Sequence, residues 1–360
     1  MASPRRARTI EDRLAQRLSD PNIVYLLGAG CSSCAGLPGT VGLTQVVESE
    51  LRGEAATVFQ EVKRCLVVTG IEEPNIEEIL SELQHRLDAK GTRRSRRDRY
   101  RHAHDAACRC IRNALLVDQS TEHHKGFIER LVSRRRAEPA PGAPPVRIFT
   151  TNYDLLIELA CEECDVVFVN GFEGVFRRHW MPSCFEYDVG KQTLHAKTPR
   201  FEQSARHVRL FKLHGSLSWS DEKGVVCELE PSRASEGSPV IIYPSRLKYA
   251  ASVVPPFDWL LLTFGGVLST ARVLVSVGYS YADANLNQYI YNGLDQGLHL
   301  VALSREPIGA LADRAKNPQV SILNEEATII DGVAQDRTIN LWAFEEFCAW
   351  LPAVTRRKRP

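Results

Sequence analysis

The stretch Val24–Pro38 constrains the fold more than any other part of this chain. Four apolar residues, Val-Tyr-Leu-Leu, run directly into the glycine-rich turn Gly28-Ala29-Gly30. An unbroken apolar run that ends in such a turn is typical of a buried parallel strand. Because Gly28 and Gly30 lack Cβ atoms, a phosphate-bearing ligand could approach the backbone closely. A tight strand–helix connection without a ligand is the alternative.

The glycine spacing differs from the G-x-G-x-x-G fingerprint of dinucleotide-binding dehydrogenases. Ser33 stands at the position of the third glycine, and the next glycine is Gly36. Nor does an acidic residue follow about 20 positions later at the end of a second strand, where it would bind a ribose. A nicotinamide dehydrogenase is therefore disfavoured.

Composition indicates an ordinary globular protein. The 360 residues are 44% apolar and 25% charged, enough for one large α/β domain with an elaboration or two modest domains. The net charge of +1 gives no global attraction to nucleic acid or to an anionic membrane, so we expect no membrane contact and no direct nucleic-acid binding. Three basic runs, 93–101, 134–136 and 356–359, are interpreted as solvated surface, with a partner or nucleic-acid contact as the alternative.

Targeting and cysteine usage point to the cytoplasm. The amino terminus lacks the apolar core of a signal peptide, and the longest apolar run, 259–268, is too short to span a bilayer. Ten cysteines in 360 residues are too sparse for a disulfide scaffold. We therefore expect a reducing, cytoplasmic location.

Strand and helix patterns alternate along most of the chain. This alternation predicts an α/β fold, a Rossmann-like, doubly wound and mainly parallel sheet. After the first strand, the predicted strands are 146–150, 166–169, 208–213, 240–243, 273–277 and 298–303. The predicted helices outside the long insertion are 9–20, 154–163, 256–270 and 284–294.

A block without strands follows the first strand. Helices are predicted to begin near Val41 and after a capping box at Asn75, and to cover 100–118 and 121–136. We therefore expect a single domain, 1–360, with a helical insertion at 45–138 and a C-terminal extension at 306–360. The extension should contain a helix or two before a disordered tail at 355–360. A proline-rich linker spans 139–145, and 171–207 should form a loop or hairpin over the site.

Three further motifs each follow a β-rich apolar run. They are Phe-Thr-Thr-Asn-Tyr-Asp at 149–154, Lys-Leu-His-Gly-Ser at 212–216 and Val-Gly-Tyr-Ser-Tyr-Ala-Asp at 277–283. In a parallel sheet all three would lie at the carboxyl edge, where ligands bind. With the glycine turn, and in this order, they resemble the sirtuin family of NAD-consuming enzymes. More narrowly, they resemble the sirtuin-like NAD hydrolases of bacterial anti-phage defence, over roughly residues 22 to 305.

The resemblance implies that NAD+ is the substrate and assigns two catalytic residues. Asn152 matches the asparagine that orders a water or a ribose hydroxyl, and a neutral amide can do this without titrating. His214 matches the catalytic histidine, and an imidazole that titrates near neutral pH can accept the proton. Asp154 matches the aspartate that organises the nicotinamide pocket, and Tyr153 is placed beside it. The alternatives are that Asp154 caps the next helix and that His214 is a core histidine.

Two turns would contact the cofactor. The first contributes Gly28, Ala29, Gly30 and Cys31, with Cys31 lining the pocket. A nucleophilic Cys31 would need a thiolate-stabilising neighbour, and the sequence shows no obvious one. The second turn contributes Gly278, Tyr279 and Ser280 near the adenosine ribose. Asp283 either caps the following helix or holds a ribose hydroxyl. Other histidines, at 102, 104, 123 and 124, are expected on the surface.

The cysteine spacing does not predict zinc. The pairs Cys31/Cys34 and Cys161/Cys164 lie too far apart for a zinc ribbon. Deacylating sirtuins carry a zinc module after the His-Gly motif, where this chain has only Cys227 and Cys348. Pro-Gly-Thr at 38–40 also replaces the Pro-Asp-Phe-Arg of deacylases. We expect no metal site.

The resemblance implies an NAD+ glycohydrolase that releases nicotinamide and ADP-ribose as an NAD-depleting defence effector. An NAD-dependent protein deacylase and a non-catalytic NAD or ADP-ribose sensor are the alternatives. Unregulated NAD cleavage would kill the host, so another polypeptide should control the activity. We expect a homo-oligomer that uses the insertion and the basic runs as contacts. The resemblance also suggests a HerA-type ring ATPase as partner.

Overall fold

The computed structural model describes residues 9–116, 119–137, 145–192, 198, 201–230, 238–242, 255–306 and 309–351. Its strands are β1 (Ile23–Leu27), β2 (Val146–Thr150), β3 (Val167–Val169), β4 (Phe172–Glu173), β5 (Arg178–Trp180), β6 (Gly190–Gln192), β7 (Phe201–Gln203), β8 (His207–Lys212), β9 (Gly215–Glu222), β10 (Val225–Glu228), β11 (Ser238–Ile241), β12 (Val273–Val277), β13 (His299–Leu303), β14 (Val320–Leu323), β15 (Thr328–Ile330) and β16 (Val333–Ala334).

The helices are α1 (Ile10–Arg17), α2 (Thr40–Glu50), α3 (Gly53–Val68), α4 (Ile76–Asp88), α5 (Arg94–Leu115), α6 (Glu122–Ala137), α7 (Leu156–Glu163), α8 (Phe257–Leu268), α9 (Ala284–Asp295) and α10 (Phe344–Trp350). Short 3-10 helices cover Ala29–Ala35, Pro182–Glu186 and Gly309–Arg314. In the described part of the chain, no helix is long and apolar enough to cross a membrane.

The core of the protein is a nine-stranded sheet in the order β16-β15-β14-β13-β12-β1-β2-β8-β3. The strands from β14 to β3 are parallel, and β15 and β16 run antiparallel at one edge. From β1 the chain builds one half of the sheet through β2, β3 and β8, and then continues on the other side with β12. The order therefore reverses between β1 and β12, which opens a crevice at the carboxyl ends of these two strands. The predicted doubly wound, mainly parallel α/β fold is confirmed.

The central strands are apolar throughout because both faces of the sheet are covered. In β1, Tyr25 and Leu27 pack into a cluster with residues of α1, α6, α7 and α10. Val24 and Leu26 face the other side, where residues of α8 and α9 pack. Strand side chains alternate between faces, so two buried faces require an unbroken apolar run.

The helical block after β1 divides into two parts. Helices α2 to α5 share a separate apolar cluster, whereas α6 packs with α7 and α10 against the sheet. The capping box at α4 is present as predicted: the Asn75 side chain accepts from the Glu77 and Glu78 amides, and the Glu78 side chain accepts from the Asn75 amide. Helix α5 begins six residues before the predicted position 100, because its first two turns are arginine-rich and lack the apolar spacing that marks a helix.

Two predictions of local structure were wrong in part. The strand predicted at 240–243 is β11, which belongs to a second, antiparallel sheet in the order β11-β9-β10-β5-β4. Residues 306–352 contain not only α10 but also β14, β15 and β16, which extend the main sheet. The stretch 171–207, predicted as a loop or hairpin, contains the antiparallel pairs β4–β5 and β6–β7. The apolar pattern within a short strand does not determine which sheet the strand joins, because its pairing depends on strands that are distant in sequence.

One predicted surface residue is buried. His124 on α6 is 1% exposed, and its ring centroid lies 4.8 Å from that of Phe344 on α10. Burial lowers the pKa of His124 to about 4. The predicted linker at 139–144, the tail at 355–360 and the side chains of the runs 134–136 and 356–359 lie outside the described residues.

Candidate functional site

The two glycine turns of β1 and β12 touch at the switch point. The amide of Gly28 donates to Val277 O at 2.9 Å, and that of Gly30 donates to Gly278 O at 3.0 Å. A Cβ on Gly28 would lie 2.5 Å from Gly278 O, and one on Gly30 would lie 2.6 Å from Gly278 Cα. Gly278 has φ +63°. These glycines are therefore required by the contact between the turns, which is a different reason from the ligand approach inferred from the sequence.

The side chain of Cys31 is part of the core. It is 1% exposed, and its thiol donates to Val277 O at 3.0 Å. Burial, followed by the neighbouring Cys348 and Cys34, raises the pKa of the Cys31 thiol well above its usual value. The prediction that Cys31 lines the pocket is thus wrong for its side chain. The same burial disfavours a thiolate nucleophile at this position.

Asn152 is held by hydrogen bonds to the first glycine turn. Its Nδ2 donates to Gly28 O and to Ser32 Oγ, each at 2.9 Å. Since a carbonyl oxygen only accepts, the bond to Gly28 fixes which end of the amide faces the turn. Both amide hydrogens are engaged, so Oδ1 is the atom that can accept a hydrogen bond from a water or a ribose hydroxyl.

Asp154 makes two side-chain contacts but is not the N-cap of α7, because Leu155 holds that position. Its Oδ1 accepts from the amide of Leu156 at the start of α7, at 3.2 Å. Its Oδ2 accepts from Ser32 Oγ at 2.6 Å, so Ser32 connects Asp154 to Asn152. Sequence reasoning missed Ser32, although a hydroxyl inside the glycine turn was a usable signal. Tyr153 packs against the helical cluster, and its carbonyl accepts from Leu217 of β9 at 2.8 Å.

His214 pairs with Asp283. His214 Nε2 lies 3.1 Å from Asp283 Oδ2, and the two residues are 8% and 7% exposed. The other carboxylate oxygen, Oδ1, accepts from the Asn285 and Leu286 amides and caps α9. A carboxylate acceptor selects the imidazole tautomer with its proton on Nε2, which makes Nδ1 the basic atom. The capping alternative for Asp283 is confirmed, and the contact with His214 was not predicted.

In the turn after β12, some of the remaining residues are buried in the core and others are exposed. Tyr279 is 4% exposed, and its hydroxyl donates to Asn287 Oδ1 at 3.2 Å. Its ring packs 4.8 Å from that of Tyr281, centroid to centroid. Ser280 is exposed. Of the residues predicted here to bind cofactor, Gly278 and Ser280 border the crevice, while the ring of Tyr279 supports the turn from below.

A buried ion pair lies under the Asn152–Asp154 loop, and sequence reasoning missed it. Lys212 Nζ lies 2.7 Å from Glu158 Oε1 and also donates to the carbonyl oxygen of Asp154. Burial raises the pKa of Glu158, and the charge of Lys212 opposes that rise. Lys212 continues the register of Val208 and Leu210, which face the core. A lysine at a core-facing position of an apolar strand was the signal.

Neighbouring strands bring the motifs together at one edge. Thr150 pairs with Lys212, so Asn152 and His214 each stand two residues beyond paired positions. A small recess beside His214 is lined by Leu213, His214, Ile242, Phe257, Leu261, Asp283, Asn285 and Leu286. A larger cavity of about 750 Å³ lies at the opposite, amino edge. We place the site at the carboxyl edge, because there the strand order reverses and the polar motifs converge.

Metal-binding side chains do not converge in the described residues: no three of His, Cys, Asp and Glu could hold a metal ion. Cys161 and Cys164 are buried at α7, and Cys34 is half-buried with its pKa raised to about 11 by burial. The absence of zinc stays a prediction.

Comparison with known proteins gives one family match. Residues 146–324 match the family model described as a SIR2-like domain. This part of the chain is therefore similar to SIR2-like domains. The matched range contains Asn152, Asp154, His214 and Asp283, and a SIR2-like domain implies an NAD-dependent activity. Among curated proteins, no sequence relative matches.

Solved structures similar to this chain include two of Sir2 proteins. A structure from work on the mechanism and regulation of Sir2 enzymes is 13% identical, with 96% of each chain covered and a TM-score of 0.47. A mutant Sir2 homologue in complex with 2'-O-acetyl ADP ribose is 14% identical, with 84% of this chain and 88% of that chain covered and a TM-score of 0.42.

Proposed function

We propose that this protein is an NAD+ glycohydrolase that cleaves the nicotinamide–ribose bond to give nicotinamide and ADP-ribose. One observation carries the proposal: Asn152 and His214 follow adjacent strands at the switch point. Each has one polar atom fixed by the protein, Nδ2 in Asn152 and Nε2 in His214. The opposite atom of each side chain, Oδ1 or Nδ1, is an acceptor suited to a ribose hydroxyl or to water.

The chemistry requires little from the protein beyond positioning and one base. The nicotinamide of NAD+ is cationic and leaves with the bonding electrons, so the sugar becomes an oxocarbenium-like cation. Asn152 Oδ1 would accept from the water or ribose hydroxyl beside that cation. As water bonds to the anomeric carbon, His214 Nδ1 would take its proton, and Asp283 would balance the imidazolium charge. Nicotinamide leaves neutral, and the proton is then released from His214.

Deacylation is the second candidate, since it uses the same cleavage with an acyl-lysine oxygen as the attacking group. In deacylating sirtuins the segment after the His-Gly motif carries the zinc module. Here Gly215 begins β9, which pairs with β10 and β11 in an antiparallel sheet. Hydrolysis therefore has the better support. A sensor that binds NAD+ without turnover is disfavoured by the fixed geometry of Asn152 and His214.

The test is to incubate the purified full chain with NAD+, alone and with an acetyl-lysine peptide, and to quantify nicotinamide, ADP-ribose and deacetylated peptide. We expect nicotinamide and ADP-ribose in equal amounts, independent of the peptide. Peptide-dependent nicotinamide release would instead establish a deacylase. NAD+ binding by calorimetry without either product, under every activating condition tried, would contradict both enzymatic functions.

We also propose that the protein acts as an NAD-depleting anti-phage effector, as one sirtuin-like domain in a homo-oligomer with a ring-forming HerA-type ATPase. The motive is the family resemblance, together with the need to restrain NAD cleavage in a living cell. Light scattering of the protein alone and with such an ATPase tests the assembly. A strict monomer with full activity by itself would contradict the assembly, and unchanged cellular NAD+ during infection would contradict the defence role.

A further inference from the structure

Positive charge is concentrated where α4 meets α5, although the whole chain has a net charge of only +1. Between Arg86 and Arg101 the sequence carries eight basic and two acidic residues. Four of the basic side chains line one cavity, where the α4–α5 connection folds back and the two helices pack together. We call Arg86, Lys90, Arg93, Arg94, Arg96 and Arg101 the cationic ridge.

Four residues of the ridge line a cavity of about 510 Å³ that no carboxylate lines. Its walls are formed by Arg86, Ala89, Lys90, Gly91, Thr92, Arg93, Arg96 and Tyr100. The floor is fixed: Arg86 Nε lies 2.7 Å from Glu82 Oε1, and its guanidinium lies 5.5 Å from the centroid of the Tyr100 ring. The remaining cations of the wall point to solvent around this floor.

Four exposed cations of the ridge have no ion pair within the described residues. Arg99 pairs with Glu54 at 2.7 Å and Arg101 with Asp98 at 3.3 Å. Lys90, Arg93, Arg94 and Arg96 are all exposed, and over residues 9–116 and the other described ranges none of them has an acidic partner. Ion pairing therefore does not explain why these four neighbouring positive charges are present.

Helix stability does not account for these charges either. The first turn of α5 contains no acidic residue, and no side chain caps the helix. The positive end of the helix macrodipole lies at this terminus, where cations are unfavourable. Arginines at these positions oppose helix formation, so an anionic ligand is the better explanation of their presence.

We propose that the cationic ridge binds the phosphate backbone of a nucleic acid. The cations without an acidic partner are spread along the chain rather than gathered at one point, from Lys90 in the α4–α5 connection to Arg96 in the first turn of α5. A nucleic-acid strand presents a phosphate about every 3.4 Å, so such a line of cations can contact several phosphates. This contact revises the expectation from net charge, since the charge of the whole chain does not describe this one surface.

The test measures binding of labelled duplex DNA, single-stranded DNA and RNA of equal length to the full chain as a function of salt. A variant with Lys90→Gln, Arg93→Gln, Arg94→Gln and Arg96→Gln should bind at least about tenfold more weakly. The slope of log affinity against log salt should become shallower by about 0.9 per lost duplex contact. A matched control changes four exposed arginines elsewhere, Arg177, Arg272, Arg305 and Arg337, to Gln.

The control variant should bind nucleic acid with the affinity of the parent and with the same slope of log affinity against log salt. Removing cations from the α5 terminus should not lower the melting temperature, and Arg96→Gln alone should already reduce the slope by about 1. Three results would each overturn the proposal: no binding by the parent at low salt, equal losses in the two quadruple variants, or tighter binding to polyglutamate than to every nucleic acid. The last result would identify an acidic protein as the ligand.

Discussion

His214 and Asp283 meet at 3.1 Å although β1 and β2 separate their strands in the sheet. His214 follows β8, and Asp283 lies at the end of the turn after β12. The pair therefore bridges the carboxyl ends of the two central strands, beside the turn that holds Asn152. The same carboxylate caps α9 through its other oxygen, so helix packing positions the imidazole.

Replacing Asp283 by Asn should separate its two roles. Asparagine is as good a cap as aspartate, so the free energy of unfolding should change little. The charge opposite His214 is lost, so kcat for nicotinamide release should fall at least about tenfold while KM for NAD+ stays near that of the parent. Asp283→Ala is the comparison, since it should also lose about 1 kcal/mol with the cap. A raised KM with unchanged kcat would instead show that Asp283 binds the ribose.

Asn152→Ala and His214→Ala should leave a folded protein that binds NAD+ but releases little nicotinamide. We expect losses of about 10²–10⁴-fold for a group that transfers a proton and about 10²–10³-fold for a group that stabilises the transition state. Cys31→Ser should be far milder in rate, because its thiol bonds to Val277 O inside the core. The measurement is nicotinamide release with thermal melts of all three variants. An inactive Cys31→Ser beside two active variants would require a thiol mechanism.

Gly278→Ala should destabilise the protein by about 2–5 kcal/mol, because it combines a left-handed backbone with crowding. A Cβ there would lie 2.6 Å from Cys31 N and from Gly30 Cα. Gly36→Ala is the matched control: Gly36 has φ +81° but no neighbour within 4 Å, so only the backbone cost of about 1–2 kcal/mol applies. Chemical denaturation of both variants measures the difference. An equal loss of unfolding free energy in both variants would show that the two turns can move apart to accommodate a Cβ atom.

Lys212→Met should cost about 3–5 kcal/mol, since it leaves the Glu158 carboxylate buried without its partner. Adding Glu158→Leu should recover most of that loss, because two apolar side chains replace a buried pair with little net cost. Unfolding free energies of the single and double variants give the comparison. If the double variant were as unstable as the single one, the bond from Lys212 to the Asp154 carbonyl would be the important contact.

Stability should fall in mild acid because of His124. Burial lowers its pKa in the folded protein to about 4, against about 6.5 when unfolded, so the unfolded state takes up the proton first. The contribution is complete above about pH 6.5 and decreases towards pH 4, with a loss of about 2 kcal/mol at pH 5. His124→Gln should lose less stability between pH 7 and pH 5 than the parent. His102→Gln, at an exposed position of α5, should behave like the parent, and identical pH profiles for all three proteins would contradict the assignment.

The fold class followed from the sequence because both faces of a doubly wound sheet are buried. This gives continuous apolar strands such as Val24–Leu27, and the strand predictions at 146–150 and 273–277 match the structure at both ends. Position along the chain likewise placed Asn152, His214 and Asp283 at strand ends. Three of the four motifs, at 149–154, 212–216 and 277–283, lie within the SIR2-like match over residues 146–324.

Only the tertiary structure decided which of these side chains touch. The pairing of His214 with Asp283, the bridge of Ser32 between Asn152 and Asp154, and the buried position of His124 join elements far apart in sequence. No local pattern encodes such contacts, because they depend on strand order and on helix packing across the sheet. The sequence alone determined the residues at the edge of the sheet; folding determined which other parts of the protein their side chains contact.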